Sequence, residues 1–192
     1  MRPNKRDELV REAMRIFDRD GYHGTGMDRL VTETGISKTT MFKHFRTKDD
    51  LVLAVLRYRD ETFRDWMNRQ LDRIAETPRD RLIAVFDLIG QWFGEETFNG
   101  CMFIKAAAEF PDPDDPIAAQ AREHKRLLAR SLEDLATGAG AADPAGLSRK
   151  LMLLLEGAIV SAHMGYNPGA AEDAKAAARI LIADALSDHE PG

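Results

Sequence analysis

TGMDRLVTETGISKTTMFKHFRTKDDL, running from Thr25 to Leu51, packs two short helices and the beginning of a third into 27 residues. Each boundary carries its own chemistry. Thr25 is placed to cap a first helix, with Asp28 three residues on as an acidic variant of the capping box. That helix runs to Thr34, and Gly35 supplies the left-handed residue that ends it. Ser37 then caps a second helix after a turn of a few residues, and Thr47, with Asp50 three positions later, caps the next. The pattern predicts a helix-turn-helix.

The second of these helices separates into two faces. Met41 and Phe45 lie four apart, on the side that meets Leu30, Val31, Ile36 and Leu51, which leaves Lys38, Thr39, Thr40, Lys43 and His44 outward. Hydroxyls and cations on a helix are groups that read base edges and hold phosphates, and a helix N-terminus adds backbone amides for a phosphate. Phe42 is an aromatic on or near the exposed side.

Residues 5 to 51 resemble the DNA-binding domain of the TetR/AcrR family of bacterial transcriptional regulators. The run GISKTTMFKHFRTKDDL carries the likeness: a turn, a recognition helix ending in an aromatic pair, then Lys and an acidic cap. It departs from the family pattern at Thr39, where Gly is common, and at Phe42, where Tyr is common. The resemblance implies DNA contacts at Thr25, Lys38, Thr39, Thr40, Phe42, Lys43 and His44, with Lys48 a phosphate ligand at the start of the following helix.

Composition agrees with a globular chain of one or two domains: 192 residues and 44% hydrophobic content suffice for a sizeable core. No N-terminal apolar region follows the first basic residues, and the longest apolar stretch, Leu151 to Tyr166, is short of a membrane span and carries Glu156. A single Cys101 cannot form an internal disulfide, which is consistent with a reducing, cytoplasmic setting. The net charge of −5 is unevenly spread. Residues 1 to 48 hold 11 Lys/Arg against 7 Asp/Glu, so the rest carries the acidic excess. A locally basic segment on an acidic body suits a protein that offers one surface to a polyanion.

The flanking chain reads as helices throughout. Residues 6 to 20 place Leu9, Val10, Ala13, Met14, Ile16 and Phe17 at three- and four-residue spacings, and Gly21 ends that helix. From Lys48 no Gly or Pro interrupts the pattern before Pro78, predicting a long helix to about Ile74. Further helices are expected over 78–94, 100–110, 116–137, 144–165 and 170–186, with SDHEPG a frayed tail. The fold class is therefore all-α, with a DNA-binding domain over 1–50 and a helical ligand-binding and dimerisation domain over 51–192.

The last two helices stand apart. Leu147, Leu151, Leu154, Leu155 and Ala158 form one apolar stripe, while Met152, Leu153 and Ile159 extend apolar character around the cylinder, so the helix must be buried on two sides. Its partner offers small residues with Ala177 and Leu181 among them. In the family such a pair meets its copies in a second subunit, which implies a homodimer interface at Leu147, Leu151, Leu154, Leu155, Ala158, Ala177 and Leu181; a monomeric helix pair is the alternative. The family also implies a small-molecule pocket in the body. Its lining candidates are Phe63, Trp66, Met67, Trp92, Phe93, Met102 and Phe103, although the same residue types line ordinary cores; His124 and His163 could hold a polar ligand group, a satisfied structural histidine being the favoured alternative.

Catalysis finds no support. The histidines at 23, 44, 124, 163 and 189 show no metal-ligand spacing, and no cofactor motif, phosphate loop or nucleophile elbow is present. The expected function is a DNA-binding regulator, a repressor released from its operator by a small molecule. The competing expectation is a helical small-molecule-binding protein, or a thiol sensor built on Cys101, without sequence-specific DNA binding.

Overall fold

A computed structural model describes residues 4–187; His189 and the rest of the expected tail beyond Ser187 lie outside them. The described residues form nine α-helices and no strand: α1 (Lys5–Asp20), α2 (Met27–Thr34), α3 (Lys38–His44), α4 (Lys48–Ile74), α5 (Pro78–Phe93), α6 (Met102–Glu109), α7 (Pro116–Gly138), α8 (Pro144–Met164) and α9 (Ala170–Leu186). The all-α architecture read from the sequence is the observed one. Among the described residues no helix is long and apolar enough to cross a membrane.

The chain folds into two compact units. The first runs through Phe63 and adds Cys101–His124; the second comprises Arg64–Gly100 and the chain from Lys125. The unit holding residues 1–50 therefore also contains the first half of α4, all of α6 and the start of α7.

In the first unit α1, α2 and α3 pack on one another. Leu9, Ala13, Phe17, Leu30 and Met41 are fully buried, as expected from their helical spacing, and Tyr22, in the turn after α1, is fully buried as well. Gly35 closes α2 at φ 66°, ψ 9°, the left-handed conformation that turns the chain toward Ser37. Ser37 caps α3 by accepting from the Thr40 amide, and Thr47 and Asp50 form a reciprocal capping box at the start of α4.

One expected cap is not formed. The N-cap of α2 is Gly26, without a side-chain bond, because the Thr25 hydroxyl turns back and donates to the Gly21 carbonyl at 2.8 Å. Asp28, left without its capping role, bonds Lys38 instead.

In the second unit α8 packs against α9, and α5 packs against both. Leu82, Phe86, Leu88, Leu147, Leu151, Ala178 and Ile182 belong to its core. Asp143 caps α8 by accepting from the Gly146 amide, with Pro144 in the first turn.

On the surface of the first unit, Arg19 and Arg29 bridge α1 and α2. Arg19 reaches Glu33 at 2.7 Å and Asp20 at 2.6 Å, while Arg29 reaches Asp20 at 2.9 Å and Glu33 at 2.7 Å. Hydrogen bonds from Arg19 hold the Asp20 carboxyl below its ordinary range, and those from Arg29 and then Arg19 do the same for Glu33. A carboxylate depressed in the folded state adds stability that is present above its unfolded pKa and lost as pH falls. Melting of the full chain should therefore weaken as pH drops below about 4, and Glu33→Gln should flatten this acid limb. Because the pairs are exposed, 1 M salt should shrink the difference between variant and wild type. Calorimetric melting at stepped pH reads both effects.

Candidate DNA interface

Recognition helix α3 is held by what it buries. Met41 is fully buried and Phe45 nearly so, and the Arg6 guanidinium lies 5.2 Å from the Phe45 ring centre. With that face fixed, Lys38, Thr39, Phe42 and Lys43 are exposed, while Thr40 and His44 are half-buried. Phe42 keeps 45% of its surface in solvent, unusual for a large apolar side chain in so short a helix. Thr40 shares a 2.9 Å hydrogen bond with the Ser37 hydroxyl. Lys38 donates to Asp28 at 2.9 Å, so one of the cations expected to face DNA is tethered to the first turn of α2.

Two candidates from the sequence are placed differently. Thr25 is completely buried, its hydroxyl used on Gly21, so its side chain has no surface to offer a phosphate. Lys48 is half-buried and its ammonium donates to the Tyr22 carbonyl at 3.0 Å, which gives it a role inside the fold before any outside it. Arg46, absent from the expected contacts, is exposed in the link between α3 and α4. A helix-based reading passes over it because it lies between two helices.

Outward polar side chains on the second helix of a helix-turn-helix are the arrangement that reads the major groove. Residues 9–55 match the family model described as bacterial regulatory proteins, tetR family. Residues 9–55 thus form a TetR-family DNA-binding domain. The fold extends the likeness well past those residues: a TetR-family regulator from Streptomyces coelicolor superposes with a TM-score of 0.88 at 27% identity, covering 95% of this chain and 96% of that one. The HTH-type transcriptional repressor NemR of Escherichia coli is 23% identical over 134 residues, 67% of each chain. The HTH-type transcriptional activator FasR of Mycolicibacterium smegmatis is 34% identical over 86 residues, 45% of this chain and 39% of its own.

The nine expected ligand contacts fall into two groups. In the first unit Met102, Phe103 and His124 are buried and Phe63 is half-buried. His124 Nδ1 lies 2.7 Å from Asp60 Oδ1, and its ring stacks on Phe103 at 3.6 Å with Phe63 edge-on at 6.0 Å. In the second unit Trp66 and Met67 pack on the core, and Trp92, Phe93 and His163 gather around Phe98, which the sequence reading passed over. Phe98 meets Trp92 edge-on at 4.9 Å, Phe93 at 5.0 Å and His163 at 6.3 Å.

The expected dimer stripe also needs correcting. Leu147, Leu151, Leu155 and Ala158 are buried within the second unit's own core, while Leu154, Ala177 and Leu181 are half-buried. On α8 and α9 the large apolar side chains left in solvent are instead Leu153 (73% exposed), Val160, Met164 and Ile180 (71%). Spacing alone cannot tell which of two apolar faces of α8 turns inward.

Lys43 is exposed and has no hydrogen bond or ion pair among the described residues, which leaves it the cation of α3 freest to reach a base. Lys43→Ala should weaken binding to a preferred duplex by about 1–3 kcal/mol and leave binding to a scrambled duplex nearly unchanged. Fluorescence anisotropy at fixed salt measures both; an unchanged preference would remove Lys43 from base readout.

Proposed function

We propose that this chain acts as a homodimeric repressor on a near-palindromic duplex and is released from it by a small molecule. The DNA half of the reading rests on the exposed set of α3. Lys38, Thr39 and Lys43 supply donors for base edges and phosphates. Phe42, which has no phenol to bond a phosphate, suits apolar contact with a thymine methyl. Two copies of a helix-turn-helix related by a two-fold axis would read half-sites about one helical turn apart. In the cell this places the protein in the cytoplasm with the DNA.

The dimer reading is supported by two stripes. Leu153, Gly157, Val160 and Met164 recur at four, three and four residues along α8, and Ala176, Ile180 and Ala183 do so along α9, all of them exposed. Gly157 faces open space where a second backbone could approach closely. For the sign of regulation, the repressor among the relatives is matched over two-thirds of its length and the activator over 39% of its own. Repression is therefore favoured. The effector is proposed to act at the Trp92, Phe93, Phe98 and His163 group, where aromatic faces and one imidazole would take an aromatic or conjugated molecule with a polar end. Trp92→Ala should then reduce the loss of DNA affinity caused by a compound found in a melting-shift screen.

Leu153→Asp and Ile180→Asp should each leave a folded chain that sediments as a monomer and binds the duplex at least about tenfold more weakly, since a buried charge in an apolar interface costs several kcal/mol. Leu151→Asp should instead abolish cooperative melting. A reporter carrying the selected duplex, repressed by the wild type and derepressed in Leu153→Asp, tests sign and assembly together. A folded, DNA-competent monomer would overturn the dimer.

A further inference from the structure

The turn after α1 is held from three directions. Gly21 ends α1 at φ 77°, and Tyr22 follows, fully buried, with its ring 5.4 Å from Phe17 and 5.9 Å from Phe110. Every hydrogen-bonding group of Tyr22 is engaged. Its hydroxyl donates to the Met102 carbonyl at 2.9 Å and its carbonyl accepts from Lys48 Nζ at 3.0 Å. Its amide donates to both carboxylate oxygens of Glu109 at 3.0 Å. The next amide, of His23, donates to Glu109 Oε2 at 2.5 Å, and the His23 ring lies against Phe110.

Glu109 belongs to α6 and stands 87 residues from Tyr22. It does not act alone: Lys105, one turn earlier on the same helix, donates to the Asp18 carbonyl in the last turn of α1 at 2.6 Å. A cation therefore meets the negative end of α1, and a carboxylate meets the two amides that follow it. Fit at this joint is close, since a Cβ on Gly21 would come within 2.9 Å of Glu109 Oε1.

The carbonyl side of the same turn faces the DNA-reading elements. Tyr22 O also receives the Thr25 amide at 3.3 Å, and Gly21 O receives the Thr25 hydroxyl, one residue before the N-cap of α2. The turn thus has its amides fixed by α6 and its carbonyls fixing the entry to α2 and the ammonium of Lys48. We propose that Glu109 is a positioning residue for duplex recognition, holding the 21–25 turn so that α2 and Lys48 are presented in the geometry α3 needs. A charged acceptor shared by two amides is stronger and more directional than a neutral one, which suits a joint that must set an angle.

This inference rests on α3 being the DNA-reading helix. The probes are a duplex enriched by the wild-type full chain from a random pool and a scrambled duplex of the same length. Glu109→Ala is expected to lower affinity for the enriched duplex at least about tenfold, with a much smaller change for the scrambled one. It is also expected to accelerate hydrogen exchange at the Tyr22 and His23 amides. Glu109→Gln, whose side-chain carbonyl still accepts, is expected to recover most of both. Failure of the wild type to enrich any duplex would overturn the DNA reading itself. If the wild type does enrich one, Glu109→Ala binding it as tightly as wild type, with those amides exposed to exchange, overturns the positioning role alone. So does an affinity loss that disappears once corrected for the unfolded fraction measured by circular dichroism at the assay temperature.

Discussion

Tyr22 is the residue on which the first unit closes. A three-helix segment with α2 of eight residues and α3 of seven buries too little apolar surface to be stable by itself. Its turn after α1 leaves amides and carbonyls that no helix ladder can satisfy. The structure meets both needs with one side chain and its backbone. The ring fills the space between Phe17 and Phe110, the hydroxyl reaches α6, the carbonyl reaches α4, and the amide is taken by Glu109. Burying a phenol, an amide and a carbonyl without partners would cost a few kcal/mol for each group, so these bonds matter more as satisfied burial than as gained attraction.

The consequence is a division of labour among polar side chains that look alike in sequence. Thr25 and Lys48 have the chemistry of phosphate ligands, yet both are first committed to the turn, one through Gly21 and the other through Tyr22. Lysine has three donors, so Lys48 retains two for solvent or a polyanion, whereas a buried threonine hydroxyl with one proton retains none. Thr39 and Lys43, with nothing comparable to hold, are the residues of α3 whose chemistry is fully available outward. Lys38 lies between these cases. Asp28 fixes its direction at the cost of placing a negative charge beside the surface that would meet DNA.

What could be read in the sequence was local. The bounds of α4 and α9, the caps Ser37 and Thr47, the left-handed Gly35 and the inward pair Met41 and Phe45 all follow from residues within one or two turns of each other. The missed features depend on groups distant in the chain. Nothing around Glu109 in MFIKAAAE distinguishes a carboxylate that will bond the amides of residues 22 and 23 from one in water. The Thr25 cap was misread for a related reason. Helix-start chemistry offered the hydroxyl either to the amides ahead or to the carbonyl behind, and the packing of the turn decided for the latter. His124 could be read as a ligand group or, more readily, as a satisfied structural histidine, and its Nδ1 is engaged with a buried carboxylate and its face with Phe103.

Helix α8 shows the limit most plainly, because its sequence is apolar nearly all round and so states that two faces are covered without saying by what. The second unit covers one face with α5 and α9, through Leu147, Leu151, Leu155 and Ala158. The remaining stripe, Leu153 to Met164, is the more exposed although its residues are no less apolar. Burial of a leucine or isoleucine side chain is worth about 1.5–3 kcal/mol, so a chain that leaves Leu153 and Ile180 in water forgoes several kcal/mol that a two-fold partner would recover twice over. In the proposed dimer the inner stripe therefore sets whether the unit folds and the outer stripe sets whether it pairs. Because pairing draws only on folded chains, the apparent stability of the second unit then rises with protein concentration, a dependence the inner core alone cannot produce.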